Sequence, residues 1–97
     1  MLLHIGNDVS VPLDGLICIL NGVGLTEDSA RCIARVKERQ RYRPCEGKPR
    51  SYVLVRERGR ETVYASPIAA ATLEKRLKNE ISHAWLRECA VLTVLED

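Results

Sequence analysis

The sequence contains no phenylalanine, and its aromatic residues are only Trp85, Tyr42, Tyr52 and Tyr64. Any core must therefore be built from aliphatic side chains. No lysine or arginine occurs in the first thirty residues. The apolar start Met1-Leu2-Leu3 thus lacks the basic region of a secretory signal, and Asn7 and Asp8 interrupt it at once. No apolar run approaches the ~20 residues of a membrane span. Cys18, Cys32, Cys45 and Cys89 form no CxxC pair and have no histidine at ligand spacing, which argues against a zinc site. A phosphate-loop motif, a GxSxG elbow and clustered acids for metal-assisted hydrolysis are all missing. His4 and His83 lie far apart, on a strand and a helix pattern. The expectation is a cytoplasmic, non-enzymatic protein with reduced thiols, no cofactor, no small-molecule substrate and no membrane contact.

What is present is an uneven charge. The formal net charge is +2 over 97 residues. Residues 1–30 carry four acids and no base, residues 31–60 carry eleven bases against three acids, and residues 61–97 carry four bases against six acids. A basic middle third between acidic flanks suggests a localised polyanion-binding surface. A solvated face with local ion pairs is the plainer alternative. The length suits one domain, residues 1–97, with a modest core that oligomerisation would support.

Read in order, Leu2–Ile5 is a short strand stopped by Gly6-Asn7-Asp8. Val9, Val11 and Leu13 alternate with polar positions, and Pro12 places that segment at a sheet edge. Leu16–Leu20 is continuously apolar and predicts a buried strand. Thr26 is a good helix N-cap, with Glu27 and Asp28 in the first turn. Ser29, Cys32, Ile33 and Val36 share an inward face, while Arg31, Arg35 and Arg39 line another at four-residue spacing. Pro44, Gly47 and Pro49 predict an irregular loop over Arg41–Arg50. Within it Cys45 lies among Arg41, Arg43 and Lys48, a setting that can activate a thiol, though an incidental loop cysteine is the simpler reading.

Ser51–Glu57 predicts a strand with Ser51, Val53, Val55 and Glu57 on one face and Tyr52, Leu54 and Arg56 on the other. Arg58-Gly59-Arg60 makes a tight connection to a second strand, Glu61–Ala65. Ser66 predicts a helix N-cap and Pro67 the first helical position. Ala69, Ala70 and Ala71 favour helix, and Leu73, Leu77, Ile81 and Ala84 form its apolar stripe. That helix is expected to reach about residue 90. Val91–Leu95 is apolar and fits either a helix end or a strand. Residues 79–97 read as an extension which, with Trp85 and Leu86, suits a subunit contact or a folded-back core segment.

The segments Val63-Tyr64-Ala65-Ser66-Pro67-Ile68 and Thr72-Leu73-Glu74-Lys75-Arg76-Leu77 resemble the C-terminal signature of the bacterial extracellular-matrix regulator (Rem) family. The opening MLLHIGNDVSVPL resembles the family's RemB-like branch, and with the GLICIL strand the likeness covers roughly residues 1–78. The resemblance implies an α+β fold: a small antiparallel sheet of about four to five short strands with two main helices, similar to LytTR DNA-binding domains. It also implies a ring-forming homo-oligomer that presents basic residues to duplex DNA and regulates transcription of biofilm-matrix genes. The family's basic GRRTR-like loop aligns with Gly47-Lys48-Pro49-Arg50-Ser51, which makes Lys48 and Arg50 the DNA-contact candidates. Pro49 leaves that motif with fewer charges, and Gly15 stands where some relatives are basic. Arg41, Arg43, Arg56 and Arg58 are added to the candidates on charge alone. A scaffolding oligomer that binds an acidic protein partner without nucleic acid is the second expectation, and a thiol redox sensor at Cys45 the third.

Overall fold

The two-residue alternation of Ser51–Glu57 requires cover on both sides, and both sides are covered. The computed structural model describes residues 2–88, with side chains as far as residue 81. In chain order its elements are β1 (Leu2–His4), β2 (Ser10–Pro12), a 3-10 turn at Leu13–Gly15, β3 (Leu16–Asn21), α1 (Glu27–Glu38), β4 (Tyr42–Arg43), β5 (Ser51–Glu57), β6 (Arg60–Ser66) and α2 (Ala70–Glu88). Strands β1 and β2 pair as an antiparallel hairpin, and the other four form a sheet in the order β3-β5-β6-β4.

One face of that sheet buries Val53 and Val55 against Leu3, Ile5 and Val11 of the hairpin and Leu73 of α2. The other packs Leu54 and Val63 against Val36 of α1, with Cys18, Cys32, Tyr42 and Tyr52 around them. Among the described residues the fully buried hydrophobic side chains are aliphatic, with Tyr42, Tyr52 and Tyr64 only partly buried beside them. Burial in the α1-facing layer, with a smaller contribution from neighbouring Cys32, pushes the Cys18 thiol up from its ordinary value. α1 begins as expected: Thr26 Oγ1 accepts the amide of Ser29 at 3.1 Å.

Three expectations are corrected. The sheet is mixed rather than antiparallel, because Tyr42–Arg43 forms a strand parallel to β6 instead of an irregular loop. β3 is antiparallel to β5, and β5 to β6. β3, α1 and β4 therefore make a β–α–β unit whose parallel strands are held apart by the inserted β5–β6 hairpin. The apolar run Leu16–Leu20 is a strand, but an outer one. A bulge between Leu16 and Cys18 leaves Ile17 46% exposed.

Ser66 ends β6 rather than capping the helix as expected, and α2 starts at Ala70. Its hydroxyl donates to the Ile5 carbonyl at 2.7 Å and accepts the Ile68 amide at 3.0 Å. Pro67 is left in the connection, against Gly6. Leu73 is buried and Leu77 half-buried as the helical stripe predicts. The Val91–Leu95 segment, Cys89 and the side chains of Ala84, Trp85 and Leu86 lie outside what is described.

Ser66 is fully buried, so its loss strands partners that water cannot reach. Ser66→Ala is expected to lower stability by about 1–3 kcal/mol. Thr26→Ala, at an exposed cap, should cost about 1 kcal/mol. Chemical denaturation of both variants checks the order. Gly15→Ala should be worse than a cap loss, because a Cβ there would sit 2.4 Å from the Arg56 carbonyl oxygen.

Candidate nucleic-acid interface

The end of α1 sets the position of the first cationic group. Arg41 N–H bonds to the Val36 carbonyl and Gln40 N–H to the Lys37 carbonyl, both at 3.0 Å. Gln40 takes the left-handed conformation at φ 59. This is a Schellman ending with glutamine in the place usually held by glycine. It turns the chain back on itself, so that Arg41, Tyr42 and Arg43 run beside β6.

Arg41 is then pinned. Its Nε donates to the Glu61 carbonyl at 3.2 Å and its Nη2 to Thr62 Oγ1 at 3.0 Å. Thr62 is fully buried. A guanidinium with several fixed donors can hold such a bridge and still present charge at its remaining edge. Arg43, next along, is exposed, with Nη1 3.5 Å from the Gln40 carbonyl. Lys37 lies 4.7 Å above the Tyr42 ring, a cation–π contact that keeps this basic residue against the strand.

The β5–β6 hairpin supplies the rest. Arg58 and Gly59 form its two-residue turn, with φ of 52 and 77. Glu57 pairs with Arg60 and Arg56 with Glu61 across the strands. Arg56 also makes an ion pair with Glu61 at 3.4 Å.

Two open grooves flank this end of the sheet. The larger, about 860 Å³, is lined by Arg41, Arg43, Arg56, Arg58 and Arg60, with Asp14 and Glu57 as its acids. The smaller, about 490 Å³, lies toward α1, where Arg35 and Arg39 join Arg41, Arg56 and Arg60 opposite one acid, Glu61. Arg41 lines both. Seven arginines thus face three carboxylates at one end of the molecule.

Of the candidates taken from the sequence, Arg41, Arg43, Arg56 and Arg58 are brought together here. Lys48 and Arg50 are not. They are exposed on the segment entering β5, whose far end carries the arginines, roughly 20 Å away at the rise of a seven-residue strand. The Arg50 backbone is fixed there: its amide donates to the Ser66 carbonyl and its carbonyl accepts the Gly22 amide. The cluster gains Arg35, Arg39 and Arg60. The four-residue spacing of Arg35 and Arg39 was a usable sign that they share a face. What the sequence did not reveal was that this face ends beside the hairpin turn. Arg31 stays apart, paired with Asp28 at 3.5 Å. Cys45 is half-buried, with Sγ 3.8 Å from the Gly47 carbonyl. Among the described residues no three His, Cys, Asp or Glu side chains gather as a metal site, and no described helix is long and apolar enough to cross a membrane.

Comparison with known proteins found no family model and no curated protein that matches the chain.

Tyr64 connects the cluster to the core. Its hydroxyl donates to Glu57 Oε2 at 2.8 Å. Burial first, then this hydrogen bond and the Glu57 charge, push the phenol above its ordinary value of 10, while Arg43 and Arg41 pull it back. The folded state therefore holds the phenolic proton more tightly than the unfolded one. The resulting stabilisation is complete below about pH 10 and is lost as pH rises through the folded value. In an alkaline denaturation series, Tyr64→Phe should remove part of the stability loss seen above pH 10.

Proposed function

We propose that this protein binds duplex DNA through its arginine-rich end and acts as a transcriptional regulator. The observation that carries the reading is the convergence of seven arginines from α1, β4 and the β5–β6 hairpin on two adjoining grooves. Arginines so placed favour phosphate oxygens, which accept their planar donors in pairs. Flexible lysines would serve as point charges only. The excess of cationic over acidic groups is local, so long-range attraction brings a polyanion to this end first.

Control of extracellular-matrix genes rests on the sequence resemblance to the Rem family, as does assembly into an oligomer, with a ring as its form. An oligomer would repeat the basic end and multiply its weak phosphate contacts along one duplex. Lys48 and Arg50, at the other end of β5, provide a second basic point that the same resemblance favours.

A fluorescence-anisotropy titration of a labelled duplex at several salt concentrations tests the reading. Binding should weaken steeply with salt, with a logarithmic slope of about −0.9 for each phosphate neutralised. Arg35→Gln/Arg39→Gln should make that slope shallower by about 2. Light scattering on the same sample should give a multiple of the chain mass. Absence of binding at low salt would remove nucleic acid as the partner and leave the acidic-protein scaffold.

A further inference from the structure

The sheet does not end evenly. On β5 the last residue paired with β3 is Val55, and on β6 the first residue paired with β4 is Val63. Residues 56–61 pair only with each other. The hairpin therefore runs past both neighbouring strands as a two-stranded ribbon. Gly15 and the Arg41 side chain flank the Arg56–Glu61 pair, so the free part is the Glu57–Arg60 pair and the turn, a reach of roughly 7 Å. The major groove of DNA is about 12 Å wide and about 8.5 Å deep, and it admits a two-stranded ribbon.

The charges on this ribbon are divided. Glu61 is engaged by Arg56 and Glu57 by the Tyr64 hydroxyl. Arg58 and Arg60 have no ion-pair partner among the described residues. Arg58 sits at the tip, in a left-handed conformation that a side chain of its size rarely adopts and that asparagine or glycine would accept more easily. Cationic side chains stand on both flanks of the ribbon: Arg35 and Arg39 toward α1, Arg43 toward the N-terminal hairpin, and Arg41 lining both grooves. A ribbon entering a groove meets a phosphate row on either side, and this is the charge layout that such a fit demands.

We propose that the β5–β6 hairpin enters the major groove end-on and that Arg58 reads guanine, its guanidinium donating to O6 and N7. The flanking arginines then hold the two phosphate walls. This inference rests on the duplex-binding reading and goes beyond it, because phosphate contacts alone carry no sequence information. End-on entry also turns Lys48 and Arg50, at the opposite end of β5, away from that duplex.

The test uses the full chain with two probes, a G·C-rich duplex and the same duplex with 7-deazaguanine in place of guanine, which lacks the N7 acceptor. Wild type should bind the natural duplex more tightly, on the order of ten-fold. Arg58→Asn should bind both alike while folding normally, since Asn-Gly suits the turn. Arg31→Ala, outside both grooves and paired with Asp28, should keep the discrimination. Equal binding of the two probes by wild type overturns groove entry and leaves duplex binding standing. Discrimination that persists in Arg58→Asn overturns Arg58 as the reader. Failure to bind either probe at low salt overturns both readings.

Discussion

Two buried serines hold the layers of this small fold in register. Ser51 and Ser66 face each other at the paired ends of β5 and β6, and both are wholly inaccessible to solvent. The Ser66 hydroxyl donates to Ile5, at the end of the N-terminal hairpin, and the Ser51 hydroxyl donates at 2.7 Å to Ile68, in the connection before α2. The two outer pieces on one face of the sheet are thus fixed by directional bonds as well as by aliphatic contact. An aliphatic core tolerates sliding, because leucine, isoleucine and valine give no orientation beyond shape. Hydroxyls that must find one particular carbonyl supply the registration that phenylalanine and tryptophan packing provides in larger cores. The arrangement explains why these two positions are neither apolar nor exposed.

The far end of the same hairpin obeys a different constraint. The β3–α1–β4 unit has to leave room for two inserted strands, and α1 crosses the sheet to do so. Its C-terminus is thereby brought to the hairpin turn. Arginines at 35 and 39 reach those at 56, 58 and 60 through this crossing, although some twenty residues of chain lie between. Like charges gathered this closely repel, and a screening length of about 8 Å at physiological salt relieves that only in part. Arg41 shows the structural counterweight: its bonds to Glu61 and Thr62 exchange hydration for fixed oxygen acceptors.

Much of this was legible from residue pattern. The alternation in Ser51–Glu57, the Thr26 cap and the inward face of Cys32, Ile33 and Val36 each follow from local rules, and each stands in the structure. The failures have one physical origin. Ser66-Pro67 carries the local chemistry of a helix start, but a hydrogen bond from Ser66 to a residue sixty-one positions earlier competes with capping and wins. Tyr42–Arg43 lies beside Pro44 and two later turn residues, yet β6 offers it a partner and β structure follows. Leu16–Leu20 is continuously apolar, yet it is an outer strand whose residues are only half-buried and whose Ile17 is exposed; an apolar run says nothing about whether its edge is paired. Local propensity is a weak prior wherever a distant group satisfies the backbone better. For the candidate site the same rule holds: charge density located the region, while only the crossover could show which charges meet.

The hairpin tip is where local and global preferences disagree most. A two-residue turn with positive φ at both positions favours Asn-Gly, and glycine is indeed second. Arginine in first place keeps a long cationic side chain in a backbone region that its Cβ disfavours. Among the described residues Arg58 has no ion-pair partner, and the Glu57–Arg60 tip, beyond the contacts of Gly15 and Arg41 with Arg56 and Glu61, packs on no further strand, so nothing described compensates. Gln40, also left-handed at φ 59, is different: its conformation closes α1 and places Arg41, a structural return that Arg58 does not give. Conflict without compensation within the fold points to a requirement outside it. The tip's chemistry, a charged planar donor at the end of a ribbon between two cationic walls, is what the proposed duplex contact would use: an acceptor-rich edge set between two rows of negative charge.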